Sequence, residues 1–166
     1  MVLNNIVFHI IVVSDSIYSG ERKDTSGDKA LEILVKNGYK VSGKTIIPNN
    51  YREIIRVIRK LYDSNVLIFI GGTGPSPRDI TIDVIEEIAW RKIPGFGEYF
   101  RLKSFEEIGY HGLLSRSELY ILHDGRIVTV LPGSPKSVET GLRILLNIVE
   151  HLFEEIWRFD EPHSTR

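Results

Sequence analysis

Arg78-Asp79 is the sharpest chemical feature of this chain, and it closes a segment that opens Gly71-Gly72-Thr73-Gly74. Glycines let backbone N–H groups approach an anion closely, and a helix starting just beyond adds favourable partial positive charge. A carboxylate beside phosphate repels it unless a cation lies between them, and Mg²⁺ takes carboxylate and phosphate oxygens together. The spacing therefore points to phosphate chemistry with Asp79 linked to Mg²⁺. A plainer role, Asp79 capping a helix that begins near Thr81, is compatible with that one.

Two other loops carry small polar residues after apolar runs. Ser14-Asp15-Ser16 leads into Asp24-Thr25-Ser26-Gly27, and Pro132-Gly133-Ser134-Pro135 follows a later run. Each has an ordinary reading: Ser14 and Asp15 end a strand, Ser26 caps a helix, and Pro132–Pro135 starts one. Three such loops after three buried strands point to a shared anion site. Neither GxGxxG nor GxxxxGK[ST] occurs, so a dinucleotide fingerprint and a Walker loop are excluded. His9, His111, His123, His151 and His163 have no ligand spacing and read as structural or surface residues. Cysteine is absent, which excludes thiolate metal sites and cysteine nucleophiles.

The elements that must position these loops follow from periodicity. Ile6–Val13 and Val66–Ile70 are continuous apolar runs of the kind buried on both faces of a parallel sheet. Tyr39–Ile47 is a further strand, ended by Pro48. Helices are expected over Asp28–Asn37, with Ala30, Leu31, Leu34 and Val35 inside, over Arg52–Leu61 and over Thr81–Trp90. The stretch Pro94–Ser115 reads as short helical pieces, and Pro94–Arg101 as a lid, a subunit contact or an aromatic bend. Leu119–Leu122 and Ile127–Leu131 flank an Asp-Gly turn, so the sheet becomes mixed there. One long helix is expected from Pro135 to Ile156, with Ile148 on its inner face, and a loose tail at 160–166.

The alternation predicts a single α/β domain: a mostly parallel, partly mixed sheet with helices on both faces. Its 166 residues suffice for one core, and 42% hydrophobic with 26% charged residues is a globular composition. The balance of 21 basic against 22 acidic residues gives no general attraction to nucleic acid or anionic lipid. No segment reads as spanning a membrane, so a cytoplasmic protein is expected.

Taken together, the motifs resemble the MoaB/MogA family of molybdenum cofactor biosynthesis proteins over about residues 6–155. The markers are Val13-Ser14-Asp15-Ser16, Asp24-Thr25-Ser26-Gly27, Gly71–Gly74 with Pro77-Arg78-Asp79-Ile80-Thr81, Pro94–Glu98, Leu114-Ser115-Arg116 and Leu131-Pro132-Gly133-Ser134. Ser104-Phe105-Glu106-Glu107-Ile108-Gly109 looks like the MoaB branch. The resemblance implies a three-layer α/β/α sandwich that adenylylates molybdopterin with ATP and Mg²⁺, releasing pyrophosphate. A non-catalytic molybdopterin-binding module is the alternative.

By motif, the resemblance makes Asp79 the Mg²⁺-linked catalytic carboxylate and Gly71, Gly72, Thr73 and Gly74 the phosphate cradle. It puts Ser14, Asp15, Asp24 and Ser26 around the same pocket, with Ser104, Ser115, Pro132, Gly133 and Ser134 towards the pterin phosphate. It also implies a homotrimer or a hexamer of paired trimers. One departure stands out: many active members carry Pro-Asp-Asp or Pro-Asp-Glu after the second strand, where this chain has Pro48-Asn49-Asn50. Asn49 keeps the shape of the first, catalytic acid and loses its charge.

Overall fold

The computed structural model describes residues 5–158, so the tail expected at 160–166 lies outside the described residues. In chain order the elements are β1 (Val7–Val13), α1 (Asp15–Tyr18), α2 (Ser26–Lys36), β2 (Lys40–Ile47), α3 (Tyr51–Lys60), β3 (Val66–Ile70) and α4 (Thr81–Ile88). There follow β4 (Ala89–Lys92), α5 (Pro94–Ile108), a 3₁₀ helix (Gly109–Leu114), β5 (Glu118–Leu122), β6 (Ile127–Leu131), α6 (Pro135–Leu146) and α7 (Val149–Trp157). The strands form one sheet in the order β2-β1-β3-β6-β5-β4. The first four of that order run parallel to one another, while β5 pairs antiparallel with both β6 and β4.

The apolar runs build two cores, one on each face of the sheet. Phe8, Ile10 and Val12 of β1, with Ile68 of β3, meet Leu34, Phe100, Val138 and Leu142 from α2, α5 and α6. Ile11 and Val13, with Leu67 and Phe69, meet Ile54 and Ile58 of α3 and Ile82 and Ile85 of α4. Strand residues alternate between faces, so a continuous apolar run is what a strand covered on both sides requires. The result is the α/β/α sandwich that the sequence predicts.

Four local expectations are corrected. α2 buries Ala30 and Leu34, with Ile33 beside them, while Leu31 and Val35 face outward. Gly27 fits at the start of that helix because a Cβ there would collide with Asp24, Val12 and Lys44. The helix expected to reach Trp90 stops at Ile88, and β4 completes the sheet edge. There Trp90 stacks on His123 with ring centroids 6.2 Å apart, and Arg91 covers its ring at 4.1 Å.

The Pro94–Ser115 stretch is a regular 15-residue helix followed by the 3₁₀ turn, not separate pieces. Its inner residues are Phe96, Gly97, Phe100 and Ser104, while Tyr99, Leu102 and Ile108 are exposed, so apolar residues lie all round it and no stripe reads. The long C-terminal helix breaks at Asn147-Ile148, where Asn147 Nδ2 caps the Arg143 carbonyl at 2.6 Å and Ile148 turns outward. No helix among the described residues is long and apolar enough to cross a membrane.

Candidate active site

The chain leaves β1 towards β2 on one side of the sheet and returns as β3 on the other, so the switch point lies between β1 and β3. The loops diverge there but touch through their backbones. Gly71 (φ +110) faces the Val13 carbonyl and Gly72 (φ +67) faces Thr81 Oγ1, each so closely that a Cβ would collide. Only glycine satisfies both the left-handed backbone and the contact. Gly71 N donates to Leu131 O at 2.9 Å, which brings in the loop after β6.

Ser26 Oγ donates to Gly133 O at 2.6 Å, so the start of α2 is tied to the Pro132–Ser134 turn. Ser26 is thus a link between loops and not a helix cap. Asp24 takes the capping role: its Oδ1 accepts from Gly27 N at 2.7 Å, and its Oδ2 pairs with Lys44 at 2.7 Å. Ser134 Oγ caps α6 by accepting from Ser137 N at 3.2 Å, with Pro135 in the first turn. The helix-start reading of that segment is correct.

The loop after β2 joins next. Ser14 caps α1, and its N–H donates to Ile47 O at 3.0 Å. Asp15 accepts from Asn49 N at 2.9 Å with one oxygen and pairs with Arg78 at 2.6 Å with the other. Asn49 Nδ2 donates to the Arg78 carbonyl, and Asn49 Oδ1 is buried with no hydrogen-bond partner among the described residues. A cavity of about 610 Å³ opens here, lined among others by Asp15, Asn49, Arg52, Arg56 and Arg78.

Asp79 does not cap α4. That helix starts from Ile80 with no side-chain cap, and Asp79 Oδ2 instead accepts from Ser76 N at 3.3 Å. A Cβ on Gly74 would stand 2.6 Å from the same oxygen, so the carboxylate lies directly against the glycine cradle.

Ser115 reaches the cradle through its neighbour: Arg116 N donates to Thr73 O at 3.0 Å. Ser104 packs against Gly112 of the 3₁₀ helix, and no hydrogen bond among the described residues joins it to the loops. Arg116, absent from the sequence-derived site, also bonds Gly74 O through Nε at 3.1 Å, the Asp79 carbonyl, and both oxygens of Asp83 at 2.7 and 3.0 Å. Its hydrogen bonds hold the Asp83 carboxyl below the usual carboxylate range. The only sequence signal for it is its place after Ser115 in Leu114-Ser115-Arg116.

The donor set bears on Mg²⁺. Among the described residues no three His, Cys, Asp or Glu side chains come together as a metal cage. One partly exposed carboxylate, Asp79, and the orphaned Asn49 Oδ1 are both hard oxygens. That set suits an ion held through one carboxylate and substrate phosphates, which is how Mg²⁺ usually binds. His9 stays outside this chemistry: Ser42 Oγ at 2.7 Å and Thr45 Oγ1 at 2.8 Å satisfy both ring nitrogens.

A parallel sheet whose carboxyl edge gathers N–H-rich loops, helix starts and the Asp79 carboxylate is the architecture of an α/β domain for phosphorylated ligands. Residues 9–151 match the family model described as "Probable molybdopterin binding domain". The chain is 40% identical over 152 residues to the molybdopterin adenylyltransferase of Pyrococcus furiosus, covering 89% of each. It is 33% identical to a probable molybdopterin adenylyltransferase of Methanocaldococcus jannaschii, covering 90% of this chain and 93% of that one. The crystal structure of the tungsten cofactor synthesizing protein MoaB from Pyrococcus furiosus superposes with a TM-score of 0.85 at 36% identity, over 92% of this chain and 97% of that one. The chain belongs to the MoaB/MogA family of molybdenum cofactor biosynthesis proteins.

Proposed function

We propose that this protein is a molybdopterin adenylyltransferase, transferring AMP from ATP to molybdopterin and releasing pyrophosphate. The 40% identity to a molybdopterin adenylyltransferase across 89% of both chains carries the reading. In the reaction an oxygen of the pterin's terminal phosphate bonds to the α-phosphorus of ATP, and the bond from that phosphorus to the β-phosphate oxygen breaks. The nucleophile is already an anion, so no strong base is required. What remains is to hold two anions in line and to meet developing charge with preorganised donors.

The Gly72–Gly74 backbone offers those donors to phosphate, while Gly71, whose N–H goes to Leu131 O, shapes the turn, and Ser115, Gly133 and Ser134 face the pterin side. The motif alone assigns Ser104 to the same side. Asp79 would hold Mg²⁺, which when bound supplies Lewis-acid polarisation and neutralises phosphate charge. Asn49 holds the Arg78 backbone, and Asp15 holds Arg78 itself, so both keep the Asp79 loop in place. A cytoplasmic setting fits a reaction that consumes ATP.

The assay is incubation with molybdopterin, ATP and Mg²⁺, followed for adenylylated pterin and pyrophosphate. We expect both products; neither, under conditions where a related enzyme works, sinks the reading. The neutral Asn49 favours one alternative, a non-catalytic molybdopterin-binding module, which pterin binding without ATP turnover would select.

We also propose that the protein assembles as a trimer or a hexamer. Leu102, Ile108, Tyr110, Leu113 and Leu114 expose a run of apolar surface along α5 and the 3₁₀ helix, of the kind that subunit contacts cover. Light scattering that finds a monomer at micromolar concentration contradicts this.

A further inference from the structure

The Gly74–Asp79 loop is shaped by short internal bonds. Asp79 N donates to Ser76 O at 2.9 Å, Ser76 N to Asp79 Oδ2 at 3.3 Å, and Arg78 N to Ser76 Oγ at 3.3 Å. Bonds inside a turn fix its shape, not its attitude to the sheet. On one side, Asp15 and Asn49 hold Arg78. On the other side, Arg116 supplies every tie described above, grasping the carbonyls at the loop's entry, Gly74, and at its exit, Asp79. Asp83, in the first turn of α4, braces the guanidinium through both carboxylate oxygens.

We propose that Arg116 is a positioning residue that orients the Asp79 carboxylate for phosphoryl chemistry. This rests on the adenylyltransferase reading for what Asp79 does, while the clamp itself rests on geometry alone. The planar fork is needed because it meets Asp83 bidentately and keeps Nε and a further N–H for the two carbonyls. An ammonium is a single point of charge with three donors and cannot span four acceptor oxygens in those directions. Arg116 touches neither substrate in this scheme, so its loss acts through Asp79. A displacement of about 1 Å in a catalytic group costs on the order of 100-fold in rate.

The test combines turnover with amide hydrogen exchange in Arg116→Gln, Arg116→Lys, Asp83→Asn and the double variant Arg116→Gln/Asp83→Asn. Asp83 is well exposed, so its replacement keeps the test alive where an Arg116 variant folds poorly. We expect kcat for Arg116→Gln to fall about 100-fold with KM for both substrates within about threefold. Lysine should restore little of that loss, and the double variant should be no slower than Arg116→Gln, as partners in one clamp behave non-additively. Exchange should quicken at residues 74–80 and stay unchanged in β1 and β3.

Wild-type kcat in Arg116→Lys overturns the proposal, and so does unchanged exchange at 74–80. A joint rise in KM and fall in kcat, with faster exchange throughout β3 and β6, also overturns it. Absence of turnover in the wild type defeats the adenylyltransferase reading instead, and exchange then decides the clamp.

Discussion

At the hairpin end of the sheet, Arg126 ties the turn between β5 and β6 to the end of α3 through the carbonyls of Ile58 (2.7 Å) and Leu61 (3.2 Å). At the opposite, carboxyl end, Arg116 does the corresponding job for the Gly74–Asp79 loop. Both guanidiniums meet backbone carbonyls and a nearby aspartate, yet their surroundings differ. Arg126 sits beside its own partner Asp124 at 2.8 Å, and Trp157 and Ile156 close over Gly125. Leu122, Ile55, Ile58 and Ile88 help line a cavity of about 410 Å³ there, with no glycine cradle beside it. Beside Arg116 lie the cradle, two loops from the switch point, and a partly exposed carboxylate. A cavity alone does not locate chemistry here; the convergence of parallel strand ends does.

That contrast can be broken most forcefully at Asp79. Asp79→Asn is nearly isosteric, so turnover should drop by about 1000-fold or more, roughly 4 kcal/mol of transition-state stabilisation, with the melting temperature almost unchanged. Kinetics alongside thermal melting checks this, and turnover near the wild-type rate removes Asp79 from the mechanism. Next in size comes Gly71→Ala, which forces a side chain into the Val13 carbonyl at positive φ. It should cost about 2–3 kcal/mol in a urea melt and more than tenfold in turnover, because the cradle must move.

Arg126→Gln sharpens the comparison from the other end. It leaves carbonyls of α3 without their guanidinium donor and should cost about 1–2 kcal/mol of stability, with kcat unchanged. Loss of turnover at equal stability would show that the hairpin end also serves the reaction.

The smallest effect concerns His9, buried in β1 between Ser42 and Thr45. Burial lowers its pKa from 6.5, and Asp63 opposes that in part. The folded state therefore resists protonation more than the unfolded chain does. Its stabilising share is full above pH 6.5 and is lost as pH falls from there through the lowered folded pKa. Melting curves at pH 7.5 and pH 5 should show a slightly larger drop for wild type than for His9→Gln, and equal drops would contradict the assignment.

Legibility in the sequence followed burial. β1, β3 and β6 are readable because strands covered on both faces are almost wholly apolar, with only His9 in β1 and Thr129 in β6 breaking the runs, and the Asp124-Gly125 turn marks its hairpin unaided. β4 is not readable: Trp90, Arg91 and Lys92 lie on an exposed edge, where pairing with β5 imposes the strand and no buried face leaves a pattern. α5 hides for the opposite reason, since apolar residues surround it. The break at Asn147 carries neither glycine nor proline, so nothing local announces it.

In the candidate site the residues that chain proximity groups are legible: the Gly71–Asp79 segment, Ser14-Asp15 and Pro132–Ser134. Long-range partners are not. Asp24 reads as a pocket acid, but Lys44 from β2 engages it in the fold. Arg116 lies 37 residues beyond Asp79, whose carbonyl it binds, a pairing no local pattern can announce.

The most direct test of the contrast between the two ends is a paired measurement on Asp79→Asn and Arg126→Gln. Both are assayed for adenylylated molybdopterin and melted side by side with the wild type. The account predicts a crossed result: Asp79→Asn inactive with a wild-type melting temperature, Arg126→Gln fully active but melting several degrees lower. Parallel losses of turnover and stability in both variants would contradict it.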